Sequence, residues 1–244
     1  MTDTTVPTPV RRPGDDARTR YGPLTRTATF VYRTIVGAIR LAAIALGRVR
    51  IVGAEKMPAE GAFVLAPVHR SNVDFALTAM LTKRTMKYLG KDSIWKSKLL
   101  GRFVSSIGAF PVHRGAADRE ALRACQRMLE SGQPVVVFPE GTRRTGPVVE
   151  DLFDGPAYLA ARTGVPIVPV GIGGSERMMP KGAKFVHPTR LVLIVGDPIA
   201  PPAPTEKGKV PRSAVRELTA TLQGELQRLF DEATEIAGPK GRVR

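Results

Sequence analysis

Apolar positions along the chain fall into short blocks of alternating type. Residues 61–68, GAFVLAPV, form an apolar run that reads as a buried strand ending near Val68. Phe75, Leu77, Met80 and Leu81 then follow a helical spacing, with Ser71 or Asn72 placed to cap it. Residues 118–131 repeat the helical period through Leu122, Cys125, Met128 and Leu129, and Gly132 marks the stop. PVVVFP at 134–139 reads as a strand, 155–163 as a short Ala-rich helix, and VPIVPVGI (165–172) and RLVLIVG (190–196) as further strands. Residues 197–212 carry five prolines and read as a loop. Residues 213–237 close the pattern as an amphipathic helix, with Val215, Leu218, Leu222, Leu226, Leu229 and Phe230 on one side. Strands alternating with helices imply an α/β sheet, buried on both faces where the apolar runs are continuous.

The N-terminal part departs from this pattern. Residues 1–26 are rich in Thr, Pro, Arg and Asp and read as a disordered basic tail, with no apolar core or cleavage site of a signal peptide. Residues 27–50 are crowded with apolar side chains, while Arg26, Arg33 and Arg40 recur every seven residues. Seven residues are nearly two helical turns, so the arginines share one stripe. The expectation is an amphipathic helix lying in a membrane interface, its arginines at lipid phosphates and its apolar side in the acyl chains. A spanning helix would carry those charges into hydrocarbon at roughly 2.5–3.5 kcal/mol each. Residues 51–237 are then one domain, and 238–244 a basic tail.

Composition narrows the partners. Thirty-seven Lys and Arg against 22 Asp and Glu give a formal charge of +15, which attracts a nucleic acid, an anionic membrane or a phosphate-bearing substrate. Aromatics are 6% and do not interleave with the basic residues, so no nucleic-acid partner is expected. Cys125 is the one cysteine, which excludes an internal disulfide, and three widely spaced histidines predict no metal site.

Three stretches beside the apolar runs hold candidate chemistry. In His69-Arg70-Ser71-Asn72-Val73-Asp74, a loop and a first helical turn can bring the carboxylate back to the imidazole. A carboxylate there fixes the tautomer and stabilises imidazolium, which makes the histidine a better general base. The second stretch is Gly108-Ala109-Phe110-Pro111-Val112-His113-Arg114, read as a loop. The third is Phe138-Pro139-Glu140-Gly141-Thr142-Arg143, where backbone N–H groups of a Gly–Thr turn and an arginine fork suit a phosphate, with Glu140 placed to hold Arg143.

Together these blocks resemble the glycerolipid acyltransferases, whose best-known members make phosphatidate from lysophosphatidate. The family's H-x4-D block matches His69…Asp74. Its G-x-x-F-x-x-R-like block resembles Gly108 to Arg114, and its E-G-T-R block matches Glu140 to Arg143. Its V-P-[IV]-[VI]-P block matches Val165 to Pro169. All four occur in the family's order over roughly residues 50–200. Val68 stands where members often have Asn, and Pro111 and His113 depart from the usual second block.

The resemblance implies a single acyltransferase domain with a central mixed, largely parallel sheet flanked by helices. It implies acyl transfer from acyl-CoA or acyl carrier protein to a glycerol hydroxyl, with no cofactor. His69, oriented by Asp74, would take the hydroxyl proton. Glu140, Gly141, Thr142 and Arg143 would form the phosphate site, with Arg114 and Lys91 completing it. The acceptor expected is lysophosphatidate, at the cytoplasmic face of a cell membrane. Glycerol-3-phosphate or another lysophospholipid or glycolipid is the alternative acceptor. A non-catalytic lipid-binding protein is the alternative class, and Ser71 the rival nucleophile of a hydrolase.

Overall fold

The computed structural model describes residues 25–91, 95–97, 99, 101, 104–105, 108–112, 117–203 and 210–238. The first element is helix α1, Arg26–Gly47. Thr25 caps it, its hydroxyl accepting from the Ala28 N–H at 3.3 Å. Of the tail predicted at 1–26, residues 1–24 lie outside the described residues, whereas Thr25 and Arg26 are the cap and first residue of α1; of the tail predicted at 238–244, residues 239–244 lie outside them.

Among the described residues seven strands follow: β1 (Arg50–Val52), β2 (Val64–Pro67), β3 (Lys87–Lys91), β4 (Ala109–Val112), β5 (Val135–Val136), β6 (Ile167–Gly173) and β7 (Val192–Val195). They form one sheet in the order β1-β7-β6-β2-β5-β3-β4. Every neighbouring pair is parallel except β6–β7. The sheet is therefore mixed and largely parallel. β2 lies at its centre between β6 and β5, and all four residues of β2 are buried, as continuous apolar runs require.

Helix α2 (Asp74–Thr78) with a 3-10 turn (Ala79–Leu81) follows β2. Next come α3 (Ala117–Glu130), α4 (Gly155–Thr163), the short α5 (Ser175–Met178) and α6 (Arg212–Ala237). α3, α4 and α6 touch in sequence and back the sheet, with α6 lying along β6 and β7. That fit is close. A Cβ on Gly171 or Gly173 would come within 2.3 Å of Leu229 O or 2.2 Å of Ala233 O, so only glycine lets the helix backbone settle there.

Four points correct the sequence reading. Residues 109–112 are an edge strand rather than a loop; Pro111 lies where a missing N–H is tolerated. The predicted helix through Leu81 stops at Thr78 and tightens into the 3-10 turn. Its start has no side-chain cap: Val73 occupies the cap position, and the Asp74 carboxylate satisfies the N–H groups of Arg70 and Ser71 instead. The strand at Lys87–Lys91 was not among the predicted elements.

Candidate active site

β5, β2 and β6 are adjacent and parallel, so their carboxyl ends share one end of the sheet. His69 follows β2 by two residues, and Phe138 follows β5 by two. This is the place where open α/β sheets put their ligands.

His69 and Asp74 meet across the turn, with His69 Nδ1 3.0 Å from Asp74 Oδ2. The same oxygen accepts the backbone N–H groups of Arg70 and Ser71, each at 2.7 Å. Asp74 is fully buried, so its position is fixed from three sides. With Nδ1 donating to the carboxylate, Nε2 is left as the lone-pair nitrogen. The imidazole keeps 20% of its side-chain surface exposed and stacks on Phe138, with ring centroids 4.1 Å apart. A partly exposed imidazole backed by a buried carboxylate can remove a proton from a hydroxyl group.

The backbone of His69 is held from the other side by the loop after β5. Its N–H donates to Glu140 Oε2 at 2.7 Å, and its carbonyl accepts the Arg144 N–H at 2.9 Å. Glu140 is fully buried, and its second oxygen receives Arg70 Nη1. The expectation that Glu140 holds Arg143 is thus not met, because the guanidinium that reaches this buried carboxylate is Arg70's. Glu140 supports the site from below and presents no oxygen to a substrate.

Arg70 is the residue that sequence reasoning missed. It is 0% exposed, yet every nitrogen of its guanidinium has a partner. Nε donates to Gly146 O at 3.3 Å, Nη2 to Val148 O at 3.0 Å, and Nη1 to His69 O at 3.3 Å as well as to Glu140. Its carbon lies 4.7 Å from the centre of the Phe230 ring on α6. One side chain therefore ties the His69 turn, the loop after β5 and the last helix together. Its only sequence signal was an arginine inside a block that otherwise turns inward.

Gly141, Thr142 and Arg143 lie in the same loop as Glu140. Gly141 has φ +66°, and its N–H donates to Phe138 O at 3.1 Å, closing the turn. Gly141 and Thr142 are exposed, and Arg143 is half-buried. Among the described residues the Arg143 side chain makes no ion pair or hydrogen bond, whereas Arg144 pairs with Glu150 at 2.8 Å. A turn with an unpaired guanidinium is suited to an anion. Lys91 ends β3 at this same end of the sheet. Arg114 lies outside the described residues.

The alternative nucleophiles are closed off. Ser71 is fully buried and its Oγ donates to Met179 O at 2.8 Å. Burial pushes the Cys125 thiol up to about 12, so no thiolate forms near neutral pH. Arg26, Arg33 and Arg40 are all exposed on α1, whose other side carries buried Tyr32 and Ala43.

Comparison with known proteins points to one family. A family model described as Acyltransferase matches residues 48–173. The chain is 27% identical over 170 residues to the 1-acyl-sn-glycerol-3-phosphate acyltransferase of Bacillus subtilis, covering 69% of this chain and 82% of that one. It is 29% identical over 156 residues to a chloroplastic 1-acyl-sn-glycerol-3-phosphate acyltransferase of Arabidopsis thaliana, covering 62% of this chain and 44% of that longer one. The crystal structure of a 1-acyl-sn-glycerophosphate acyltransferase from Thermotoga maritima has the same fold. Its TM-score is 0.71 at 24% identity, over 90% of this chain and 86% of the other.

Proposed function

We propose, for a chain that belongs to the acyltransferase family, that the acceptor is lysophosphatidate and the product phosphatidate, with acyl-CoA or acyl carrier protein as donor. The observation that carries this reading is the pairing of His69, backed by Asp74, with the Gly141–Arg143 turn on the neighbouring strand. One loop supplies a base and the other an anion site, which is what a hydroxyl-bearing phosphate needs.

The steps follow from the residues. Arg143 and the Gly141–Thr142 turn hold the acceptor phosphate, with Lys91 and Arg114 as further cations. Fixing the phosphate brings the free hydroxyl to His69 and removes much of the entropic barrier to attack. His69 Nε2 takes the hydroxyl proton as the oxygen bonds to the thioester carbonyl carbon, and Asp74 stabilises the imidazolium. The carbon–sulfur bond breaks as the tetrahedral intermediate collapses. The leaving thiolate recovers the proton from His69, which restores the neutral base. No acyl-enzyme is required, in keeping with the buried Ser71 and Cys125.

Helix α1 supports a site at a membrane surface, which this reading places at the cytoplasmic face. Residues Arg26–Ala45 have a mean hydropathy of 1.4, enough by length and composition to cross a bilayer. Yet one face packs on α2 and its 3-10 turn, and Tyr32 Oη accepts the Met86 N–H at 3.3 Å. The outward face shows Phe30 and Leu41 beside the arginine stripe. A docked helix with an apolar outer side and a cationic edge favours lying in the interface.

Acceptor profiling tests the reading. With palmitoyl-CoA as donor, lysophosphatidate should release free thiol far faster than glycerol-3-phosphate or lysophosphatidylcholine at equal concentration. Faster release with either of the others would move the assignment to that acceptor.

A further inference from the structure

Between α5 and β7 the chain makes a loop, residues 179–190, that leaves and returns at the His69 end of the sheet. Both of its feet are fixed. Met179 O accepts from Ser71 Oγ at 2.8 Å, two residues from His69, and the His187 N–H donates to Met178 O at 2.8 Å. The Arg190 carbonyl lies so close to Gly174 that a Cβ there would come within 2.2 Å of it.

The outer part of this loop is unusual for a surface in water. Phe185 is 77% exposed and Val186 41%. Lys181, Lys184 and Arg190 are exposed around them, and residues 179–190 include no Asp or Glu. Among the described residues none of these three cations has an ion pair. Among the described residues the charge is therefore uncompensated, and the apolar pair is left open to solvent.

We propose that residues 180–190 form a second membrane contact, separate from α1. Phe185 and Val186 enter the headgroup–acyl boundary of an anionic bilayer, while Lys181, Lys184 and Arg190 meet lipid phosphates. An apolar tip ringed by cations has the two attractions that hold a protein to such a surface. An acidic carrier protein would answer the charge but would need a matching shape for the Phe–Val pair; a fluid acyl phase needs none. The loop is rooted beside Ser71, so this contact would bring the bilayer to the end of the sheet that holds His69. It deepens the lipid-acceptor reading and rests on it for its purpose, though not for its test.

The test uses the full chain and vesicles of phosphatidylcholine with phosphatidylglycerol. Phe185→Ser with Val186→Ser should lower the vesicle partition coefficient by roughly tenfold or more, with an unchanged melting temperature because both side chains are exposed. Lys181→Gln with Lys184→Gln should flatten the dependence of binding on salt. Because α1 is also read as membrane-bound, a local probe is needed. In Phe185→Trp, brominated acyl chains should quench the added fluorescence after the wild-type Trp95 signal is subtracted. Unchanged partition with an unquenched tryptophan overturns the proposal. So does unchanged partition with a slower rate confined to acyl carrier protein as donor, which assigns the loop to that acidic partner. If partition falls as expected but no phosphatidate is made, the loop contact stands and the acceptor reading fails.

Discussion

His69 and Asp74 are joined by a five-residue turn whose carboxylate oxygen carries three hydrogen bonds at once. Asp74→Asn would offer either an amide oxygen or an amide N–H to the ring, but not the charge that stabilises imidazolium. The expected result is a fall in kcat of about 10⁴-fold with little change in KM, measured by steady-state thiol release. Arg70 predicts a different signature. Arg70→Met leaves Glu140 buried without its cation, which should cost about 3–5 kcal/mol, read from urea unfolding. Adding Glu140→Gln to it should recover part of that loss, because the uncompensated charge is gone while an oxygen remains for the His69 N–H. If the double variant is no more stable than the single one, the ion pair is not what holds this corner. The contact between His69 and Asp74 was legible in the sequence because it is local. Arg70 was not, since Glu140, Gly146, Val148 and Phe230 all lie more than 69 residues away. The prior for an arginine is also a solvated side chain. The mistaken pairing of Glu140 with Arg143 has the same origin, because neighbours in sequence were favoured over a cation arriving from β2.

The loop after β5 places Gly141 in the left-handed region, with a Cβ there only 2.6 Å from the Phe153 ring. Gly141→Ala should cost about 1–2 kcal/mol from backbone strain alone. It should also distort the turn proposed to hold phosphate, so KM for the phosphorylated acceptor should rise more than kcat falls. Equal effects on both would argue that the turn does not touch the acceptor. Elements with strong apolar periodicity were readable: β2, β6, β7, α3, α4 and α6 fall within a few residues of their predicted positions. β3 and β4 were not. β3 begins and ends with lysine and contains Gly90, and β4 carries Pro111. Edge pairing to a neighbouring strand, rather than local propensity, makes these segments strands.

The whole molecule carries a charge of +15, and the outward face of α1 exposes Phe30 and Leu41, 72% and 71%. Deleting α1 would be a poor test of membrane binding, because Tyr32 and Ala43 pack on the domain and their loss would uncover it. Phe30→Ser with Leu41→Ser leaves that inner face intact. It should weaken sedimentation with anionic vesicles several-fold, and Arg33→Gln with Arg40→Gln should weaken it most at low salt. Unaltered sedimentation in both variants would remove α1 from the membrane. The α/β sheet followed from alternating strands and helices and its mixed, largely parallel character from the family resemblance, but its order did not, since the antiparallel β6–β7 pair depends on a tertiary choice. The most direct measurement follows the chemistry itself. Purified protein is given palmitoyl-CoA and lysophosphatidate, and free CoA thiol and phosphatidate are measured together for wild type and His69→Ala. Equal yields of both products from wild type, with a loss of about 10²–10⁴-fold in the variant, are predicted. Phosphatidate formed at the wild-type rate by His69→Ala would contradict the assignment of His69 as the base.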